Sequence, residues 1–149
     1  MKTLCIDTTH KYLVIGLFED ETCKVKIQEF SWKKQSEHFF PALMECMNQC
    51  SWNADDLDQV IITKGPGSYT GERIAMAFAK VFCMTKNKPL YTISTYQMIA
   101  GLENCQVIMD ARSNRAYCGV CENGKLIHEE IKTLDVLKDE KNQGIHFVG

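Results

Sequence analysis

The chain has 149 residues, enough for one compact domain or two small lobes. Its 45% hydrophobic and 24% charged residues are the proportions of an ordinary soluble globular protein and exclude a disordered one. A formal charge of -2 argues against a protein that grips a nucleic-acid backbone by itself, because neutralising phosphates takes clustered positive charge. The apolar run at the N-terminus is cut by Asp7, too short for an export signal, and no uncharged stretch approaches the length that spans a bilayer. Eight cysteines without an export signal read as free thiols in a reducing compartment, so the expected location is the cytoplasm.

In chain order, Thr3 to Ile6 and Tyr12 to Phe18 read as two strands of a hairpin joined by the polar turn Asp7-Thr8-Thr9-His10. A third strand is predicted within Lys24 to Trp32, where Val25 and Ile27 alternate with polar residues before the pattern slips by one, as at a bulge. Ser36-Glu37 opens a helix, with Phe39, Leu43, Met47 and Cys50 at helical spacing and Phe40 and Met44 beside them. Pro41 either sits in its first turn or kinks it. After the polar connector Asn53 to Asp58 come a buried-type strand, Gln59 to Thr63, a tight loop, Gly65 to Gly71, and a second helix, Glu72 to Lys86. Beyond Pro89 the pattern predicts a strand, Leu90 to Ser94, and a short helix, Tyr96 to Leu102. Strands follow at Gln106 to Met109, Ala116 to Glu122 and, past the turn Asn123-Gly124, Leu126 to Thr133, with another at His146 to Val148.

A shift of 103 positions lays Leu4-Cys5-Ile6-Asp7 over Val107-Ile108-Met109-Asp110 and Gly16 over Gly119. In both copies a buried strand ends in Asp, a polar turn follows, and the next strand carries Gly. This is how the two halves of the actin/Hsp70/sugar-kinase (ASKHA) architecture begin. The expected fold is therefore α/β: an ASKHA-like lobe of mixed sheet with helices over residues 1–102, then the start of a second, incomplete lobe over 103–149.

Between a predicted strand and a predicted helix, Gly65-Pro66-Gly67-Ser68-Tyr69-Thr70-Gly71 is placed to offer backbone amides to an anion. It lacks the lysine of a P-loop, its last glycine spacing is one residue too long for a dinucleotide fingerprint, and Glu72 repels phosphate at the helix start. A turn-forming role for these glycines is the default reading, with a ligand loop as the alternative.

The string GPGSYTGERI resembles the GPGSFTGLRIG signature of the TsaB (YeaZ) family. Cys5-Ile6-Asp7-Thr8-Thr9 resembles that family's opening LDTS. Ser36-Glu37-His38 with Pro41-Ala42-Leu43 resembles its HSExLLPLI helix, and Asp110-Ala111-Arg112 its DAR. The chain departs from the pattern at Glu72, which stands for an apolar residue, and at Ala75 and Val81, where the family often has Gly. The resemblance implies a subunit without catalytic residues, cofactor or metal. Such a subunit pairs with a TsaD-like transferase, is joined by a TsaE-like ATPase, and forms a homodimer when alone. It meets tRNA only through the complex, which threonylcarbamoylates the adenosine beside the anticodon.

The residues bear on this expectation. No two of His10, His38, His128 and His146 lie three or four apart, unlike the helical His-x-x-x-His pair by which TsaD-like proteins hold metal. Asp7 and Asp110 stand where kinases of the superfamily hold a metal-bound phosphate, yet their glycine-poor turns favour carboxylates that cap their own turns. Cys118 and Cys121 fall within one strand and point to opposite faces. In the second helix, Gly71, Ala75, Ala79 and Cys83 form a stripe of small residues that either admits another helix or packs on the chain's own sheet, while Ile74, Met76, Phe78, Val81 and Phe82 make the rest unusually apolar. By the family's pattern the two helices form the partner face, which predicts an interface of Phe39, Phe40, Leu43, Met44, Met47, Gly71, Arg73, Ala75, Met76, Ala79, Lys80 and Cys83. The enzymatic alternative is a small-molecule kinase fragment of the same superfamily. A peptidase finds no nucleophile–base pair, and a stand-alone RNA-binding module finds no aromatic-plus-basic signature along the sequence.

Overall fold

The computed structural model describes residues 1–149, which divide into two units: Met1–Lys64 with Ser68–Ile93, and Gly65–Gly67 with Ser94–Gly149. In the first, β1 (Lys2–Asp7), β2 (Tyr12–Glu19) and β3 (Thr22–Phe30) precede α1 (Gln35–Cys50), and β4 (Gln59–Thr63), α2 (Tyr69–Lys86) and β5 (Leu90–Ile93) follow. Strand order is β3-β2-β1-β4-β5, antiparallel from β3 to β1 and parallel from β1 to β5. The period-two alternation sends Leu4, Ile6, Leu13, Ile15, Leu17, Val60 and Ile62 to one face. There they form a single core with Phe39, Leu43, Cys46 and Met47 of α1 and Ala75, Ala79 and Cys83 of α2.

The bulge expected after Ile27 lies earlier. Leu17 pairs with Val25 and Phe18 with Cys23, so Lys24 is the extra residue. From there Val25, Ile27 and Glu29 alternate inward without interruption. The hydrophobic pattern slips because Phe30 faces outward, edge-on to Tyr12 with ring centroids 5.6 Å apart. Pro41 sits in the second turn of α1, where its missing N–H leaves the Glu37 carbonyl without an intrahelical donor.

The second unit contains α3 (Thr95–Ala100), β6 (Cys105–Asp110), β7 (Arg115–Glu122), β8 (Lys125–Thr133), α4 (Leu134–Asn142) and β9 (Phe147–Val148). Its order, β8-β7-β6-β9, repeats the opening of the first sheet: an antiparallel trio with a later strand parallel to the first. Asp7 pairs with Val14 but Asp110 with Ala116, so the second hairpin turn is one residue shorter than the sequence shift implies. The sheet buries small cores on both faces. Tyr96 and Ala100 of α3 pack on Val107 and Cys121, and Ala116 and Cys118 meet Leu137 of α4.

Two sequence readings change. The stretch around Tyr96, placed in the first lobe by a boundary at residue 102, packs on the second sheet, because Gly119 lets the Tyr96 ring lie where a Cβ would come within 2.5 Å of it. Helix α4 had no counterpart in the sequence reading, since LDVLKDEKN buries only Leu137 and shows no apolar stripe. No helix is long and apolar enough to cross a membrane.

Candidate partner interface

Helix α2 begins where Ser68 caps it, its hydroxyl accepting from the Gly71 N–H at 3.3 Å. The Ser68 N–H donates to the Thr9 carbonyl at 2.7 Å, and the Thr8 hydroxyl donates to the Gly71 carbonyl at 2.6 Å. These bonds seat the first turn of α2 directly on the β1–β2 turn. A Cβ on Gly71 would stand 1.8 Å from the Thr8 carbonyl oxygen, so glycine is required there by the close approach. The Ser68, Gly71 and Glu72 amides all have internal acceptors, which makes this end of the glycine-rich loop a structural junction.

Both aspartates cap turns. One carboxylate oxygen of Asp7 accepts from the Thr9 N–H at 2.9 Å, the Thr9 hydroxyl at 2.7 Å and the Thr63 hydroxyl at 2.6 Å, which ties the end of β1 to β4. Asp110 is exposed and accepts from the Arg112 N–H at 2.7 Å. Cys118 and Cys121 lie in different cores on opposite faces of their sheet. Burial pushes the Cys5 and Cys46 thiols up to about 11, as befits small packing groups.

The small stripe of α2 does not face outward. Gly71, Ala75, Ala79 and Cys83 are buried against the chain's own sheet, which corrects their place in the expected interface. Phe39, Leu43 and Met47 are likewise buried, with Leu43 and Met47 reaching a groove at their tips. Phe40 and Met44 are each 59% exposed on the outer side of α1. Arg73 and Lys80 are exposed on α2, with Arg73 lying over the Tyr69 ring at 5.5 Å, and Met76 is half-buried.

Between the two helices runs an apolar groove of about 470 Å³. Its walls are Phe40, Met44, Met47 and Trp52 on one side and Phe78 and Phe82 on the other. Phe78 is the hub of an aromatic cluster: its centroid lies 5.1 Å from Phe39, 6.0 Å from Phe40 and 5.5 Å from Phe82. Val81, on the same flank of α2, is 66% exposed. Phe78, Val81, Phe82 and Trp52 were not among the expected interface residues, although the apolar excess of the second helix pointed to the first three. The groove can accept apolar side chains but carries no titratable residue in its lining, so it suits association rather than catalysis.

Two antiparallel-led mixed sheets, each opening strand–Asp–turn–strand, define the ASKHA class. Solved structures agree: a Pseudomonas aeruginosa protein described as similar to peptidase YEAZ matches with TM-score 0.79 and 19% identity over 89% of this chain and 66% of its own. The ROK hexokinase of Thermus thermophilus matches more distantly, with TM-score 0.50, 13% identity, and coverage of 85% of this chain and 48% of its own. The family model for "TsaD: tRNA N6-adenosine threonylcarbamoyltransferase" matches residues 29–147. Among curated relatives, the tRNA threonylcarbamoyladenosine biosynthesis protein TsaB of Bacillus subtilis is 29% identical, over all of this chain and 71% of its own length. Its Escherichia coli namesake is 25% identical over 94% of this chain and 64% of its own. The chain belongs to the family that this TsaD model describes and, within it, to the TsaB (YeaZ) family.

Proposed function

We propose that this chain is a non-catalytic partner subunit in the formation of threonylcarbamoyladenosine in tRNA, and that it holds a TsaD-like transferase subunit through the groove between α1 and α2. The observation that carries the reading is this groove itself, an open apolar seam walled by Phe40, Met44, Phe78 and Phe82 in a member of a tRNA-modification family. Burying such side chains against a partner contributes roughly 25 cal/mol per Å² of apolar surface removed from water. Two further helices laid along α1 and α2 would bury it, and a second copy of the chain can do the same in the absence of the transferase. The self-contained hydrogen bonding of Asp7 supports a role outside catalysis, since that carboxylate oxygen already has three donors. In this reading the TsaE-like ATPase joins the pair from outside the groove, and the assembly works in the cytoplasm.

Co-expression with the TsaD-like protein of the same organism tests the proposal. A stable pair should co-purify and should restore threonylcarbamoyladenosine to tRNA in cells depleted of the native subunit. Calorimetry with ATP and Mg²⁺ on the isolated chain should show no binding. A dissociation constant near 1 μM, about -8 kcal/mol, would favour the kinase alternative instead.

A further inference from the structure

We propose that the end of the first sheet where β1 and β3 finish is a contact surface for an RNA strand, with Tyr12, Phe30 and Trp32 as stacking platforms and Lys11, Lys33 and Lys34 as phosphate partners. The proposal gives this chain its own hold on RNA, and it rests on the preceding functional reading only for identifying that RNA as tRNA.

These six residues come from two places in the sequence that the fold joins. Strands β1 and β3 end, and β2 begins, on the same side, with Tyr12 paired to Phe30. The Ser31 N–H donates to the Lys11 carbonyl at 3.0 Å, and the buried Gln35 amide donates to the His10 carbonyl at 2.6 Å. These bonds pin the turn Trp32–Lys34 onto the β1–β2 turn. The Lys34 N–H closes that turn on the Ser31 carbonyl at 2.8 Å. All three lysines are exposed, and none enters an ion pair. Tyr12, Phe30 and Trp32 are exposed among them. Helix α1 also starts here without a capping side chain, adding the partial positive charge of its free amides.

The opposite end of the same sheet is the contrast. There the lysines are engaged: Lys2 with Asp56 at 3.3 Å, Lys24 with Glu19 at 3.3 Å and Lys86 with Asp55 at 2.7 Å. The near-neutral net charge thus conceals a segregation, with acidic residues and their partners at one end and free cations at the other. At the basic end Asp7 is occupied by its own hydrogen bonds, Glu29 by His38, and Glu72 is half-buried in the first turn of α2, which leaves Glu37 as the exposed acid against three lysines. Aromatic faces interleaved with unpaired cations are what unstacked bases and their phosphates recognise. An acidic peptide would need the cations alone, and a membrane surface would call for a longer amphipathic element.

The test uses the full chain carrying Trp52→Phe, so that Trp32 alone reports, titrated with an unmodified tRNA transcript. Trp32 fluorescence should be quenched, and log affinity should fall with log salt with a slope of about -2, from three phosphates at about -0.7 each. Lys33→Glu with Lys34→Glu should weaken binding about tenfold or more. Trp32→Ala, read with labelled RNA, should weaken it by roughly fivefold to a hundredfold. Circular dichroism should show these surface variants folded. Unchanged affinity in the charge-reversed variant, absence of quenching at low salt, or equal binding to polyglutamate or to anionic vesicles would overturn the proposal. A pull-down with the TsaD-like subunit separates the two claims. Lost RNA binding in the unaltered chain with pull-down intact defeats only the RNA surface, whereas RNA binding without pull-down defeats only the partner-subunit reading.

Discussion

The two sides of α2 carry opposite kinds of side chain and meet opposite surroundings. On one side Gly71, Ala75, Ala79 and Cys83 repeat every four residues and lie flat on the sheet, where their smallness sets how close the helix comes. On the other, Phe78 and Phe82 lean toward α1 and leave an open seam lined by aromatic rings and methionine, while Val81 is exposed to solvent. Small residues at regular spacing therefore mark an internal contact in this fold, and the large residues beside them leave the apolar surface that a partner could cover. Close approach is needed where backbone meets backbone, as where Gly71 meets Thr8. Binding a partner instead draws on bulk that water still touches.

The largest expected effect tests the internal side. Gly71→Val places atoms against the Thr8 carbonyl, which neither helix nor turn can vacate without losing the Thr8–Gly71 hydrogen bond, so a loss of roughly 3 kcal/mol or more is expected. Chemical denaturation should show it, or the protein should fail to accumulate. Ala79→Leu overpacks the same contact more gently and should lower stability by about 1–3 kcal/mol, while the folded fraction still binds its partner. A normal unfolding midpoint for both variants would mean that the stripe is not packed on the sheet.

On the external side, Phe82→Glu should cost the isolated chain about 1–3 kcal/mol, because the ring is half-buried and stacked on Phe78, while weakening partner association of the folded protein by at least about 2 kcal/mol, roughly thirtyfold. A binding titration and a thermal melt on one preparation separate the two numbers. The smallest effect concerns Glu72, whose carboxyl is raised by burial at the first turn of α2. Because the unfolded chain releases this proton more readily than the folded one, stability falls as pH rises through the carboxylate range. Glu72→Gln should therefore raise the melting temperature slightly at pH near 7 and leave it unchanged below about pH 4. A variant that melts lower than the parent at neutral pH would contradict this sign.

Much of the fold was legible because it rests on periods of two and of 3.6. The strand–Asp–turn–strand repeat and both main helices follow from alternation and from Ser68 and the glycines at the helix start. The misreadings share a physical cause. The sequence shows which residues are small or apolar but not what they face, so the α2 stripe was assigned outward although Thr8, sixty-three positions from Gly71, closes over it. Tyr96 was assigned to the first lobe because its partner, Gly119, is remote in the chain. Helix α4 buries one residue and leaves no periodic trace. The basic aromatic end of the first sheet was partly legible, because Phe30, Trp32, Lys33 and Lys34 stand within five positions of one another. What the sequence does not show is that the β2–β3 pairing sets Lys11 and Tyr12, about twenty positions away, beside them.

Which side of α2 meets the partner can be read directly from one paired measurement. The dissociation constant for the TsaD-like subunit should be determined by calorimetry for the parent, for Ala79→Leu and for Phe82→Glu, each under conditions where its own melt shows it folded. The expected result is near-parental affinity for Ala79→Leu and a loss of roughly thirtyfold for Phe82→Glu. Parental affinity for Phe82→Glu with weakened binding by folded Ala79→Leu would contradict the account, because the small stripe rather than the aromatic groove would then be the face that the partner holds.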